Sequence, residues 1–156
     1  MAIRVLSIGK TSTSYLTEGM GMYLKRLNKY GGINWTELPD IRKNKFSTDM
    51  ELKALEADAF LKEIGTTDFV IGLDEKGKSY TSRAFAGKMN DWMVGNSNVV
   101  FVIGGAFGFD HKLYERMNTK ISMSEMTYSH QLVRLLFLEQ LYRAFTILKG
   151  EPYHND

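Results

Sequence analysis

The chain has 156 residues, 44% of them hydrophobic and 24% charged, with a formal net charge of +2 and no cysteine. That length fits a single domain spanning residues 1–156, and the apolar content supports a packed core rather than a disordered chain. The lack of cysteine excludes disulfides and thiolate metal centres, and no run of about 18 apolar residues offers a membrane span. The opening MAIRVLSIGK reads as a strand rather than a signal peptide, so a cytoplasmic protein is expected. The charge is mildly basic, which admits an RNA partner without a polybasic tail.

Ala2 to Ile8 alternates and is β-branched, which predicts a strand ending at Gly9. Ser14 to Tyr30 places Leu16, Met20, Tyr23, Leu24 and Leu27 on one helical face, and Gly31-Gly32 stops that helix. Ile33 to Leu38 is a short strand closed by Pro39-Asp40, and Ile41 to Ser47 is a basic loop carrying Arg42, Lys43 and Lys45. Ser47, Thr48 or Asp49 caps a helix to about Ile64. Phe69 to Leu73 is a third strand, followed by a charged, turn-like loop from Asp74 to Lys78. Thr81 or Ser82 opens a helix to about Val94, and Asn98 to Ile103 is a fourth strand. His111 to Met117 is a short helix, Lys120 to Met123 a last short strand, and His130 to Lys149 a long helix ended by Gly150 and Pro152. Strands alternating with helices at this spacing predict an α/β sandwich around a mostly parallel sheet with flanking helices.

The run from Val99 to Phe109, VVFVIGGAFGF, carries the first functional signal. Continuous apolar residues predict a strand buried on both faces. Glycines just beyond its carboxyl end, Gly104, Gly105 and Gly108, let backbone approach a ligand at the edge where open α/β sheets bind them. The pattern is not GxGxxG, and no cation sits among the glycines, so a neutral pocket for an adenosine-like ligand fits better than a phosphate cradle. A plain strand-to-helix turn is the equal alternative.

Ser122 to His130, SMSEMTYSH, is rich in small polar and flexible apolar residues. Such a loop can wrap an aromatic base with backbone hydrogen bonds and Met contacts, while Ser129 serves as an N-cap. His130 stands at the start of the last helix, where a neutral imidazole is favoured. Arg134, alone among apolar residues, needs an anion: Glu139 is the near candidate, and a phosphate or ligand carboxylate the alternative. Arg143 poses the same question. Tyr153 and His154 near the end of the chain either stack on a base and exchange a proton or belong to a frayed terminus. No HExxH, His-x-x-His or carboxylate cluster is present, so no metal is expected. The last helix is apolar nearly all round, which calls for burial on more than one face: either a homodimer through this helix or a helix clasped within one chain.

Taken together, VLSIGK, EGMGMYLKRL, LDEKGK, FVIGGAFGF, SMSEMTYSHQLVRLLFLEQLYRAF and GEPYH resemble the ribosomal RNA large subunit methyltransferase H family of the SPOUT class over essentially the whole chain. The resemblance implies an α/β fold with a trefoil knot near the C-terminus, and a homodimer. It implies an S-adenosylmethionine-dependent enzyme that methylates N3 of a pseudouridine in the 23S rRNA of assembled ribosomes. It carries cofactor binding onto Leu73, Gly105 and the loop Ser124, Glu125, Met126, Thr127, Tyr128 and Ser129, with Gly104 and Gly108 shaping the pocket. It carries substrate binding or chemistry onto His130, Arg134, Arg143, Tyr153 and His154. Ser129 stands where many members have Pro. A SPOUT relative acting on tRNA and a non-catalytic ribosome-binding module with a retained cofactor pocket are the alternatives.

Overall fold

A computed structural model describes residues 2–41, 44 and 47–156; Arg42, Lys43 and Lys45 of the expected basic loop lie outside the described residues. Five strands form one parallel sheet in the order β2-β1-β4-β3-β5: β1 is Ala2–Ile8, β2 Asn34–Leu38, β3 Phe69–Ser79, β4 Asn98–Ile103 and β5 Thr119–Ser122. The helices are α1 Ser14–Leu27, α2 Asp49–Glu63, α3 Ser82–Gly95, α4 His111–Arg116 and α5 Leu132–Leu148. Among the described residues no helix is long and apolar enough to cross a membrane.

The alternation of side chains along each strand divides the core in two. Ile3, Val5, Ile71, Leu73, Val99, Phe101 and Ile103 face a cluster with α1, α3 and α5, where Phe101 and Phe137 rings lie 4.9 Å apart. Leu6, Ile8, Val70, Val100 and Val102 face a smaller cluster with α2 and α4. Strand β4, in the middle of the sheet, is therefore buried on both faces, as its unbroken apolar run predicts.

Local chemistry sets the helix starts. Thr48 caps α2 and Thr81 caps α3, each hydroxyl accepting a backbone N–H three residues on at 3.1 Å. Asp110 caps α4 by accepting from the Lys112 N–H. The first helix is two pieces: α1 ends at Leu27, a 3-10 turn covers Asn28–Tyr30, and Gly31 closes it at φ +101°.

The segment Asp74 to Lys78, expected as a turn-like loop, is part of β3. Leu73 and Lys78 both lie opposite Ile121, so the four residues between them bulge out before the strand re-pairs with β5. Their turn-like composition reflects exposure at the edge of the sheet, not a reversal of the chain. Gly77 makes the re-pairing possible: a Cβ there would fall 2.5 Å from the Ile121 carbonyl carbon. Because the obstacle is backbone, we expect Gly77→Ala to lose about 1–3 kcal/mol of stability, read from urea denaturation midpoints at unchanged slope.

Helix α5 packs on the sheet through Phe137, Leu138, Leu141, Ala144 and Phe145 and is flanked by α1 and α3. Gly19 brings α1 close: a Cβ there would lie 2.9 Å from Leu135 Cδ1. The sheet and the two flanking helices thus cover much of the apolar surface that predicted burial on several sides.

Candidate functional site

The carboxyl ends of β4, β3 and β5 open onto a cavity of about 480 Å³, within the ~300–1,000 Å³ usual for small-molecule sites. Leu73, Asp74 and Glu75 come from β3, and Ile103 to Phe109 form one wall. That wall is a tight glycine loop. Gly105 and Gly108 form an isolated antiparallel bridge, and Gly108 has φ +83°. A Cβ on Gly104 would lie 3.0 Å from the Phe109 ring, and one on Gly105 would lie 2.8 Å from Glu56 Oε2. Side chains at these positions would push against Phe109 and α2, so the wall is bare backbone for a packing reason.

The opposite wall is the loop between β5 and α5, contributing Ser122 to Ser124 and Met126 to His130. Its two ends are tied down. At one end Ser122 Oγ donates to the Ser124 carbonyl at 2.9 Å, and Ser124 Oγ accepts the Met126 N–H at 3.0 Å. At the other, Ser129 Oγ accepts the Leu132 N–H at 3.1 Å. Ser129 thus does the capping expected of it, although regular helix begins at Leu132, two residues later than predicted. Gln131 adds a strap: its amide oxygen accepts from the Ser12 N–H and hydroxyl at 3.1 and 3.2 Å, and its amide nitrogen donates to the Lys10 carbonyl. Between the anchors, the N–H groups of Thr127 and Tyr128 have no acceptor among the described residues. They are donors in reserve beside an apolar wall.

Of the residues expected at a cofactor, Leu73, Gly104, Gly105, Gly108, Ser124, Met126, Thr127, Tyr128 and Ser129 line this cavity; Glu125 does not. His130 lines it as well, from an exposed turn rather than from the helix. The sequence did not single out Phe107, Phe109 or Val133, which complete the apolar side.

Arg134 lies elsewhere. Its side chain is fully buried, and its anionic partner is Glu37 of β2, at 2.9 Å, not Glu139 or an outside ligand. The same guanidinium donates to the Ile8 and Gly9 carbonyls and to the Thr11 hydroxyl. Those acceptors lie on the last residue of β1 and in the loop after it. Arg134 therefore fastens the start of α5 to the end of β1, close to the Gln131 strap.

Arg143, Tyr153 and His154 meet around Glu139, one turn before Arg143 on α5. Glu139 Oε1 accepts from Arg143 Nη2 at 2.6 Å and from the Tyr153 hydroxyl at 3.1 Å. Hydrogen bonding to Glu139 holds the Arg143 pKa above its ordinary value, while burial raises that of the Tyr153 hydroxyl. The guanidinium also lies 4.7 Å over the Tyr153 ring. The contacts of His154 give its two ring nitrogens different hydrogen-bonding roles. Arg143 Nη1 lies 3.1 Å from His154 Nδ1, and a guanidinium only donates, so Nδ1 accepts. The ring hydrogen is then on Nε2, 2.8 Å from Asp156 Oδ1, and Arg83 in turn pairs with Asp156 at 2.9 Å. The tail is held against α5 and α3 by these contacts and is not a frayed end. His130 and this cluster sit toward opposite ends of α5; from Leu132 to Arg143 the helix rises about 16 Å.

Glu56 is a further acid that the sequence did not reveal. Its Oε1 is buried without a partner among the described residues, and burial, assisted by Asp40, raises its pKa above the ordinary 4.5. A carboxyl with a raised folded pKa contributes most below its unfolded pKa and loses that contribution as pH rises through the folded value. We therefore expect Glu56→Gln to be more stable than the parent at pH 7, with the difference shrinking toward pH 4, in paired thermal melts across that range.

A parallel α/β sheet flanked by helices, with a glycine-walled cavity at its carboxyl edge, has the architecture in which open α/β proteins hold small ligands. The family described as "Predicted SPOUT methyltransferase" matches residues 1–154, and the chain belongs to that family of enzymes. It is similar to "Ribosomal RNA large subunit methyltransferase H" of Christiangramia forsetii, 43% identical over 156 residues and 99% of each chain. The protein of the same name from Cytophaga hutchinsonii is 45% identical over 158 residues, covering 99% of this chain and 100% of the relative. That from Clostridium botulinum strain Langeland is 44% identical over 159 residues, with the same coverage. Within the SPOUT methyltransferases, the chain thus belongs to the large subunit methyltransferase H family.

Proposed function

We propose that this protein methylates N3 of a pseudouridine in the 23S rRNA of assembled ribosomes, using S-adenosylmethionine. The observation that carries the reading is the cavity between the glycine wall and the doubly anchored loop, in a chain of this family. The relatives' printed name supplies the ribosomal large subunit RNA. Bare backbone at Gly104 and Gly105, the unpaired Thr127 and Tyr128 N–H groups and the Met126 and Phe107 side chains suit an adenosine moiety. When bound, S-adenosylmethionine supplies a methyl carbon activated by a sulfonium.

The protein's own part is to place N3 and to manage its proton. The Arg143 guanidinium is a preorganised positive charge held by Glu139 and stacked on Tyr153. It serves to grip phosphate or to stabilise charge on a base carbonyl. His154 can accept a proton at Nδ1 only if Arg143 lets go of that atom, so the two act as a unit. His130 is placed to act at the loop end, and Arg134 acts by holding the framework rather than by touching RNA. Outside the site, Arg26 lies over the rings of Tyr23 and Tyr142 at 5.6 and 5.7 Å, giving α1 an exposed cation beside aromatic surface for an RNA backbone. A homodimer, a knot near the C-terminus and a cytoplasmic setting belong to the same reading.

The deciding experiment offers ribosomes, free large subunits and tRNA in parallel, with methyl-labelled S-adenosylmethionine. Label in ribosomal RNA, at a base whose N3 becomes blocked to carbodiimide, is the expected result. Label in tRNA alone, or cofactor binding without transfer to any of the three, overturns the proposal.

A further inference from the structure

Glu139, which gathers Arg143 and Tyr153, also forms the wall of a second cavity, of about 360 Å³. This cavity lies between the start of α3, the end of β5 and the middle of α5. It shares Ser122, Met123 and Tyr128 with the first cavity. It therefore borders the glycine-walled cavity on one side and Glu139, the acceptor at the centre of the tail cluster, on the other. Its remaining walls include the rings of Tyr80 and Phe85 and the amide of Gln140.

The amide has one orientation. Gln140 Nε2 donates to Glu139 Oε2 at 3.1 Å, and because a carboxylate only accepts, the nitrogen must face Glu139. The oxygen then faces Ser82, whose hydroxyl donates to it at 2.8 Å. One hydrogen of Nε2 and one lone pair of Oε1 have no partner among the described residues. Aromatic faces beside an oriented, half-satisfied amide suit a flat heterocycle with alternating carbonyl and N–H groups on its edge.

We propose that this second cavity receives the target base, unstacked from its RNA, and that Gln140 reads its carbonyl edge. Ser82 and Glu139 are positioning residues that hold the amide, and Tyr80 is a stacking surface. The inference rests on the reading above that an imide nitrogen is methylated. In that reaction N3 gives its proton to a base, His154 in the reading above, and its electron pair to the methyl carbon, and the carbon–sulfur pair stays with the departing sulfur. Negative charge on the way spreads to the carbonyl oxygens flanking N3, and a fixed neutral N–H donor stabilises it there.

The test is steady-state methyl transfer by the full chain to ribosomes, with cofactor binding by calorimetry and thermal melting measured alongside. Gln140→Ala and Gln140→Glu are each expected to lower kcat by about 10- to 100-fold, at unchanged cofactor Kd and Tm. Ser82→Ala, which frees the amide to turn, gives a smaller loss in kcat. Tyr80→Ala raises KM for ribosomes about tenfold, and Tyr80→Phe does not. Transfer by Gln140→Ala within twofold of the parent overturns the inference alone. So does a parallel loss of cofactor affinity, or a change of oligomeric state, which would make the cavity a seat for a second copy. A parent protein that transfers nothing to ribosomes overturns this inference together with the reading beneath it.

Discussion

Arg134→Ala is expected to be the most destabilising single substitution in the chain. The change removes a fully buried guanidinium, leaves the carbonyls of Ile8 and Gly9 without this donor, and leaves the Glu37 carboxylate with only its bonds from Thr11 in place of its cation. Breaking a buried pair from one side costs about 3–5 kcal/mol. For a domain of this size that corresponds to a fall in Tm of roughly 6–20 °C. Lys in its place restores the charge but not the planar fork that reaches four acceptors at once, so Arg134→Lys should recover little. Removing both partners, as in Arg134→Met with Glu37→Leu, should recover part of the loss, because no charge is then stranded. Calorimetric melts of the four proteins decide it; a loss under about 1 kcal/mol for Arg134→Ala would place the residue among ordinary surface pairs.

The largest effect on turnover is expected at the tail. His154→Ala and Arg143→Ala should each lower kcat by about 10²–10⁴-fold, the range in which a positioned acid, base or charge contributes. Cofactor Kd should stay within error for both, since neither residue lines the glycine-walled cavity. The two side chains share a hydrogen bond, so the double variant should be little slower than the worse single one. Losses that multiply instead would mean two independent roles. Unchanged turnover in His154→Ala would remove that residue from the chemistry.

Much of the fold was legible because each signal was local. The apolar run of β4, the glycines after it and the caps at Thr48, Thr81 and Ser129 all act within a few residues, and all stand where the sequence put them. The β3 bulge was not legible, because its cause lies across the sheet, in the room Gly77 leaves beside Ile121. Arg134 was misjudged for the same kind of reason. Its partner Glu37 is 97 positions away, and nothing local distinguishes an arginine that pins a strand from one that grips a ligand. The Glu139–Arg143 pair was within reach, since four residues is one helical turn. The closed chain from Ser82 through Gln140, Glu139, Arg143, His154 and Asp156 to Arg83 was not, because it needs the tail folded back on α3.

The two tethers of the β5–α5 loop bear on the entropy of binding. Ser122 and Ser124 fix one end, and Ser129, Gln131 and the Arg134 framework fix the other. Only the few residues near Met126 and Tyr128 have backbone freedom left to lose when a ligand enters. At about 1–2 kcal/mol per residue ordered, the entropic cost is a few kcal/mol, where an untethered loop of nine would forfeit several times that. A chain this short thereby keeps most of its ligand-binding energy for the ligand itself.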